Sequence, residues 1–270
     1  YWENLQINFL KKRNISGFQN RPVQGGGDIS RGGGSRNSVD NTKDIINSFS
    51  DPRIKYYENF TNMGQNYSRA IALSHSVGDY IAVMDADDIS LDIRLEKQIE
   101  FMENNKDHGL VGSLAEVIDK KGRVIDKIQS KYYNSDETKV YLFFRNCFSH
   151  SSILFRKDML EKVGIDQDRL LAADYEIIIK ISRLMKVGNI NEVLVKYRQH
   201  NRSELSLRSD KINISVKGIL LNQINELGLQ PSEEELNIHH GLNKKTIHHI
   251  NKQYYIKLNF SLNIFLNLSK

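Results

Sequence analysis

The chain has 270 residues, of which 39% are hydrophobic and 26% are charged. This length suits one large α/β domain or one domain with an appendage, and the composition is typical of a globular protein. The net charge of +5 is only mildly basic. Because zinc-ligand spacing and arginine-rich blocks are also missing, we expect no nucleic-acid partner. The single cysteine, Cys147, excludes an intrachain disulfide and predicts a reducing, cytoplasmic compartment. No apolar run is long enough to predict a transmembrane helix.

Residues 1–38 predict an irregular or aberrant N-terminal segment. Two glycine triplets, at 25–27 and 32–34, lie among arginine, serine and asparagine, and no strand alternation accompanies them. A glycine-rich phosphate loop would need a strand in front of it. We recognise no such strand, and we therefore expect the chain to begin inside its domain.

From residue 41 onward, helices and strands alternate. Helices are predicted at 42–49, 64–76, 92–104, 136–144, 157–163, 174–185 and 207–227, and strands at 54–58, 80–84, 110–118, 124–128, 151–155 and 189–195. Ser232 and Glu235 form a capping box that predicts one more helix. The apolar segment 254–268 fits a packing helix, an interfacial segment or a strand pair. The alternation predicts an α/β fold with a mainly parallel central sheet flanked by helices.

The stretch 78–88 is the most informative part of the sequence. An apolar run at 80–84 predicts a buried strand, and it ends in three carboxylates, Asp85, Asp87 and Asp88. Clustered carboxylates repel one another and resist burial. Their place at the carboxyl end of a strand therefore favours a divalent cation site. The alternative is a polar loop in which an aspartate caps the next helix.

Several pieces of the chain, in this order and spacing, resemble glycosyltransferase family 2. They are the segments 51–56, 68–69, 78–88, 94–98, 150–156, 173–176 and 197–200. The resemblance implies a GT-A-like (Rossmann-like) domain over 39–206, followed by a helical C-terminal extension over 207–270. The usual N-terminal strand of the family is not recognisable in this chain.

The resemblance also implies a reaction, a cofactor and site residues. The reaction is the transfer of a sugar from a nucleotide-diphosphate donor to an acceptor hydroxyl with inversion, assisted by Mg²⁺ or Mn²⁺. The implied donor-binding residues are Asp85, Arg69 and Arg198, and the implied metal ligands are Asp87 and His200. Asp88 has the structural alternative of capping the following helix.

Asp174 matches the catalytic base of the family, which takes the proton of the acceptor hydroxyl. The structural alternative is that Asp174 only caps the helix predicted at 174–185. Arg69 has the alternative of being a surface arginine, and His150 either lines the site or packs in the core. We interpret the histidine pairs at 239–240 and 248–249 as a solvated helical face, and Cys147 as a packed thiol.

We therefore expect a glycosyltransferase of surface polysaccharide or glycolipid synthesis, with a sugar or lipid-linked acceptor. The basic charge and the apolar segment 254–268 fit a peripheral position at the inner face of the membrane. Two alternatives stay open. One is a non-catalytic remnant that binds nucleotide or a protein partner, and the other is a nucleotidyltransferase, which shares the sheet and the acidic metal site.

Overall fold

The computed structural model describes residues 15–20, 65–85, 87–126, 134–166, 171–199 and 209–241. Several predicted features lie outside these residues: the helix at 42–49, the strand at 54–58, both glycine triplets, His200, the second histidine pair and the segment 254–268.

Within the described residues, strands alternate with helices along the chain. Strands β1 to β7 are Ile15–Asn20, Tyr80–Asp85, Ile89–Ser90, His108–Ile118, Val124–Asp126, Leu154–Arg156 and Lys186–Arg198. Helices α1 to α7 are Gln65–Ser74, Arg94–Asn104, Ser135–Tyr141, Lys157–Val163, Ala173–Ser182, Ser209–Glu226 and Glu233–Gly241, and a 3₁₀ turn covers His150–Ser152. Every predicted helix and strand that falls in this part of the chain is present, with ends shifted by a few residues.

The strands form one mixed sheet. Their order is β1-β2-β6-β4-β7-β3, and β5 pairs with β4. The pairs β1–β2 and β4–β7 are parallel, whereas β6 runs antiparallel to both of its neighbours. The α/β fold is confirmed, but the sheet is mixed rather than mainly parallel. Alternation of helices and strands in a sequence does not specify the direction of a short strand such as β6.

The N-terminal strand β1 corrects the prediction for residues 1–38. Ile15–Asn20 pairs in parallel with β2, from Ile15 opposite Tyr80 to Asn20 opposite Asp85. The prediction that this region contains no strand is therefore wrong. The hexapeptide has no clear alternation of apolar and polar residues, so its strand character comes from pairing with β2 rather than from local propensity.

The core lies on both faces of the sheet, as the alternation of side chains along each strand requires. Ile81 and Val83 of β2 pack on one face, and Tyr80 and Ala82 pack on the other. On the first face α1, α4, α5 and α6 contribute Leu73, Leu160, Ile178 and Leu220, and on the second α2 contributes Leu95, Ile99 and Met102. The sheet is thus covered by helices on both sides.

Helix α6 joins the same core as the preceding residues. Ile219 and Leu220 are buried in it, and Gln223 Nε2 donates to the carbonyl of Leu142 at 3.0 Å. The boundary proposed between residues 206 and 207 stays a prediction, although α6 is helical as expected. Among the described helices, none combines the length and apolarity needed to cross a bilayer.

Helix α7 corrects the interpretation of the first histidine pair. The predicted capping box is confirmed, because Glu235 N–H donates to Ser232 Oγ at 3.3 Å and Ser232 N–H donates back to Glu235 Oε2 at 2.8 Å. His239 and His240 are buried, so a solvated face is wrong. His239 Nε2 donates to the carbonyl of Phe143 at 2.6 Å, and burial lowers the pKa of His239. The reason is tertiary, since α7 packs against the segment that follows α3.

Candidate functional site

Strand β2 ends at the acidic turn that the sequence singles out. Asp85 is its last residue, and the turn closes with a hydrogen bond from Asp88 N–H to the Asp85 carbonyl at 3.3 Å. Asp85 and Asp87 are partly exposed, whereas Asp88 is only 6% exposed. Two of the three carboxylates are therefore partly exposed to solvent, and the third faces the interior.

Beneath this turn, a buried side chain adds to the last backbone hydrogen bond beside β2. The paired residues of β2 and β6 end at Ala82 and Leu154, and the Val83 N–H still donates to the Ile153 carbonyl at 3.0 Å. Beyond this point Arg94 Nη2 donates to the Val83 carbonyl at 2.9 Å and to the Ile153 carbonyl at 3.2 Å. The Arg94 side chain is buried, and burial lowers its pKa to about 9. A guanidinium on α2 thus bridges the two strands where they separate.

Asp88 is held by two short hydrogen bonds. Ser151 Oγ donates to Asp88 Oδ2 at 2.5 Å, and the Arg198 N–H donates to Asp88 Oδ1 at 2.7 Å. Burial raises the pKa of Asp88 to about 7, although both hydrogen bonds oppose the shift. The predicted helix-capping role of Asp88 is wrong, because Ile93 occupies the N-cap of α2 and no side chain caps it. Asp88 instead links the acidic turn to β7 and to the 3₁₀ turn.

Arg198 lies at the end of β7 beside the same turn. Its Nε donates to the Asp87 carbonyl at 2.7 Å, and its Nη1 donates to the Asp119 carbonyl at 2.9 Å. Arg198 therefore ties together the ends of β2, β4 and β7. Its location at the site agrees with the expected position. Donor binding by Arg198 stays a prediction, as does metal binding by His200, which lies outside the described residues.

His150 occupies the space between the acidic turn and the start of α5. Its Nε2 lies 3.0 Å from Arg69 Nη2 and 3.9 Å from Asp85 Oδ1. Its Nδ1 lies 3.7 Å from Asp174 Oδ2. One imidazole ring therefore separates the carboxylates of Asp85 and Asp174, which are 89 positions apart in the sequence. Of the two interpretations left open for His150, the structure supports a place in the site.

Asp174 lies in the first turn of α5, but it does not cap this helix. The N-cap is Ala172, in a left-handed conformation with φ of 55°, and no side chain caps it. A left-handed conformation is costly for a residue with a Cβ atom, and strained backbone of this kind tends to occur at functional sites. The alternative in which Asp174 serves only as a cap is therefore wrong.

The electrostatic surroundings of Asp174 keep it ionised. Burial by itself would raise the pKa of Asp174, but His150, Arg69 and the N–H of Tyr175 together lower it. Asn146 Nδ2 also donates to Asp174 Oδ2 at 3.2 Å. The carboxylate keeps 27% of its side chain exposed. An ionised and partly exposed carboxylate is able to accept a proton from a bound ligand.

Sequence reasoning missed three residues of this site, Asn146, Ser151 and Tyr197. Burial and the charges of Asp88, Asp87 and Asp85 raise the pKa of Tyr197 to about 12, so its phenol stays protonated. Ser151 lies in the segment 150–156 that carries the family resemblance, but nothing in a single sequence indicates its bond to Asp88. No feature of the sequence around Asn146 indicates that it belongs to the site.

The residues present fit a divalent cation in chemistry, with few ligands from the protein. Carboxylate oxygens are the donors that Mg²⁺ and Mn²⁺ prefer, and Asp85 and Asp87 offer them at one strand end. The hydrogen bonds of Asp88 already occupy both of its oxygens. Across the described ranges, which leave out His200, no three acidic, histidine or cysteine side chains form a metal-binding group. Magnesium sites commonly use one or two carboxylates and take further ligands from substrate phosphates.

Comparison with known proteins finds relatives that are named glycosyltransferases. The sequence model of Glycosyl transferase family 2 matches residues 35–164, which include Arg69, Asp85 and Asp87. The chain is 36% identical to an uncharacterized glycosyltransferase of Methanocaldococcus jannaschii over 162 residues, which is 60% of this chain and 56% of that relative. It is 33% identical to the O-antigen biosynthesis glycosyltransferase WbnJ of Escherichia coli over 157 residues, 57% of this chain and 60% of WbnJ. The chain thus spans less than two thirds of these relatives.

Solved structures agree with the fold. The crystal structure of S. aureus TarS 1–349 in complex with UDP-GlcNAc matches with a TM-score of 0.55 at 14% sequence identity, over 86% of this chain and 70% of that one. At this identity the likeness shows the fold alone, which is the GT-A-like α/β fold that the sequence predicts. The sequence relatives lead further: residues 35–164 match Glycosyl transferase family 2, and relatives that are named glycosyltransferases support the assignment of a family 2 glycosyltransferase.

Proposed function

We propose that this chain transfers a sugar from a nucleotide-diphosphate donor to an acceptor hydroxyl, with inversion of the anomeric centre. The observation that carries the proposal is the approach of Asp85 and Asp174 to opposite nitrogens of the His150 ring. A single displacement needs one carboxylate beside the attacking hydroxyl and a separate binding site for the leaving group. Asp174 at one end of the site provides the carboxylate, and Asp85 at the other end lies where the leaving group would bind.

Each side chain has one role in this mechanism. Asp174 accepts the proton of the acceptor hydroxyl as its oxygen attacks the sugar, and its lowered pKa keeps it ionised and ready to do so. Asp85 binds the ribose of the donor, and Arg69 donates hydrogen bonds to its phosphates. Asp87 and His200 would hold Mg²⁺ or Mn²⁺, which when bound would stabilise negative charge on the leaving diphosphate.

Relatives support a role in the assembly of a surface polysaccharide or glycolipid. WbnJ is named for O-antigen biosynthesis, and TarS has been solved with UDP-GlcNAc. We extend to this chain a nucleotide-sugar donor and a sugar or lipid-linked acceptor. A cytoplasmic protein bound to the inner face of the membrane would meet both substrates, and the net charge of +5 favours contact with anionic lipid.

The proposal is tested by incubating the purified chain with a panel of UDP- and GDP-sugars and Mn²⁺, and by measuring released nucleoside diphosphate. We expect one donor or a few to be hydrolysed slowly without acceptor. Absence of release, together with no heat of nucleotide binding at millimolar ligand, would favour the non-catalytic remnant. Release of pyrophosphate from a nucleoside triphosphate and a sugar phosphate would favour the nucleotidyltransferase.

A further inference from the structure

The contact between Arg69 and His150 determines which imidazole nitrogen carries the proton. Arg69 Nη2 lies 3.0 Å from His150 Nε2. A guanidinium has only donors, so Nε2 must be the acceptor in this contact. The single N–H of a neutral imidazole is therefore on Nδ1.

The Nδ1 edge of the imidazole ring, which carries this N–H, lies beside Asp174. His150 Nδ1 is buried, has no hydrogen-bond partner among the described residues, and lies 3.7 Å from Asp174 Oδ2. This separation is longer than a hydrogen bond. A buried donor without a partner is unfavourable, so a small closing movement that brings Nδ1–H onto the carboxylate would be favourable.

Arg69 is itself held in place, which makes the tautomer a property of the fold. Its Nη1 donates to Asn66 Oδ1 at 3.2 Å, and Asn66 Nδ2 donates to the carbonyl of Asp166 at 3.2 Å. Asn66 is also buried. The chain of contacts therefore runs from a main-chain carbonyl through α1 to the imidazole and on toward α5.

We propose that His150 is a positioning residue that orients the carboxylate of Asp174, with Arg69 selecting the tautomer that aims a donor at it. The catalytic consequence rests on the proposed function, but the orientation is measurable without activity. The nearest nitrogens of both His150 and Asn146 lie beside Oδ2 of Asp174.

The first experiment measures the tautomer directly. Long-range ¹H–¹⁵N spectra of histidine-labelled protein are recorded at pH 8.5, above the usual histidine pKa of about 6.5, and His150 is assigned by the signals lost in His150→Asn. We expect the Nδ1–H tautomer in the wild-type protein and a gain of the Nε2–H tautomer in Arg69→Met. A wild-type protein with the Nε2–H tautomer would overturn the proposal.

The second experiment replaces His150 with residues whose amide group mimics either Nδ1 or Nε2, and it compares the effects on catalysis. Asparagine places its amide where histidine has Nδ1, and glutamine places its amide near the position of Nε2. We expect His150→Gln to lower kcat about 10- to 100-fold because Asp174 loses its orienting donor, and His150→Asn to lower kcat by about tenfold less. The readout is the difference in kcat between the two variants, since both of them also change the contact with Arg69, a proposed donor-binding residue.

The control is His75→Gln, which changes an exposed histidine at the end of α1 in the same way. Thermal unfolding of all three variants checks that they fold. An equal loss of kcat in His150→Asn and His150→Gln would mean that His150 contributes only packing, and would overturn the proposal. If the wild-type chain turns over no donor, the proposed function fails, while the tautomer measurement still decides the orientation of His150.

Discussion

Asp88 and Asp174 are two carboxylates of one site whose surroundings shift them in opposite directions. Burial raises the pKa of Asp88 to about 7, whereas the pKa of Asp174 is lowered because its neighbours outweigh burial. The hydrogen bonds of Asp88 are 2.5 and 2.7 Å long, and the side-chain nitrogens of Asn146 and His150 lie 3.2 and 3.7 Å from Asp174 Oδ2. Short hydrogen bonds to both oxygens are typical of a carboxylate that stabilises the fold, whereas longer contacts leave space for a substrate.

The comparison also shows that the position of a residue in a sequence motif does not determine its role in the structure. Asp88 stands in the acidic stretch that drew attention in the sequence, yet both of its oxygens bind the protein itself. Asp174 lies outside that acidic stretch and still faces the site. A carboxylate cluster in a sequence therefore indicates where a site lies, while the distribution of roles inside the cluster depends on the neighbours that the fold supplies.

The largest effect is expected from Asp174→Asn. This change keeps the shape of the side chain but removes the proton acceptor, so the rate of transfer should fall about 1000-fold. Donor affinity, measured by calorimetry, should stay unchanged. The matched control is Asp136→Asn, in the first turn of α3 and exposed. Transfer at a rate near that of the wild-type chain would remove Asp174 from the role of base.

The next effect concerns the exposed part of the acidic turn. Asp87→Ala should weaken nucleotide binding in the presence of Mn²⁺ by at least about 10- to 100-fold, because a metal ligand is lost. In EDTA the variant and the wild-type chain should bind nucleotide equally. If the wild-type chain binds equally well with Mn²⁺ and with EDTA, the metal assignment is wrong.

Asp88→Ala should act on stability rather than on a ligand. The change leaves the Ser151 hydroxyl and the Arg198 N–H without their acceptor in the interior. We expect the free energy of unfolding in urea to fall by about 1–3 kcal/mol. Asp92→Ala, which removes an exposed carboxylate a few residues later, is the control and should change little. Equal stabilities of the two variants would contradict the structural role of Asp88.

The smallest signal is the pH dependence that Asp88 adds to stability. An unfolded aspartate titrates near pH 4 and the folded Asp88 at about 7, so the folded state binds this proton more tightly. The stability that Asp88 contributes is therefore complete below about pH 4 and is lost as the pH rises through about 7.

We expect the stability of the wild-type chain relative to Asp88→Asn to decline over this window, measured in EDTA so that no metal competes. A flat difference would show that Asp88 titrates normally. Asp174 should behave in the opposite sense, because its pKa is lowered. Its contribution is present above about pH 4, the unfolded value, and is lost as the pH falls through its folded pKa.

Much of the site region could be predicted because its signals are local. The buried run of β2 and the carboxylates after it are visible in a few residues, and helix α4 matches its predicted range of 157–163. The capping box at Ser232 and Glu235 is equally local. Strand β1 could not be predicted, because Ile15–Asn20 depends on the edge of β2. The burial of His239 depends in the same way on a distant segment.

The amino-acid sequence by itself determined the succession of helices and strands, the acidic turn after β2 and the resemblance to glycosyltransferase family 2, because periodicity, turn chemistry and motif spacing are properties of neighbouring residues. Only the tertiary structure decided the mixed direction of the sheet, the inward use of Asp88 and the placement of His150 between Asp85 and Asp174. These features arise from contacts between residues far apart in the chain, and burial and distance, which set pKa values and hydrogen bonds, exist only after folding.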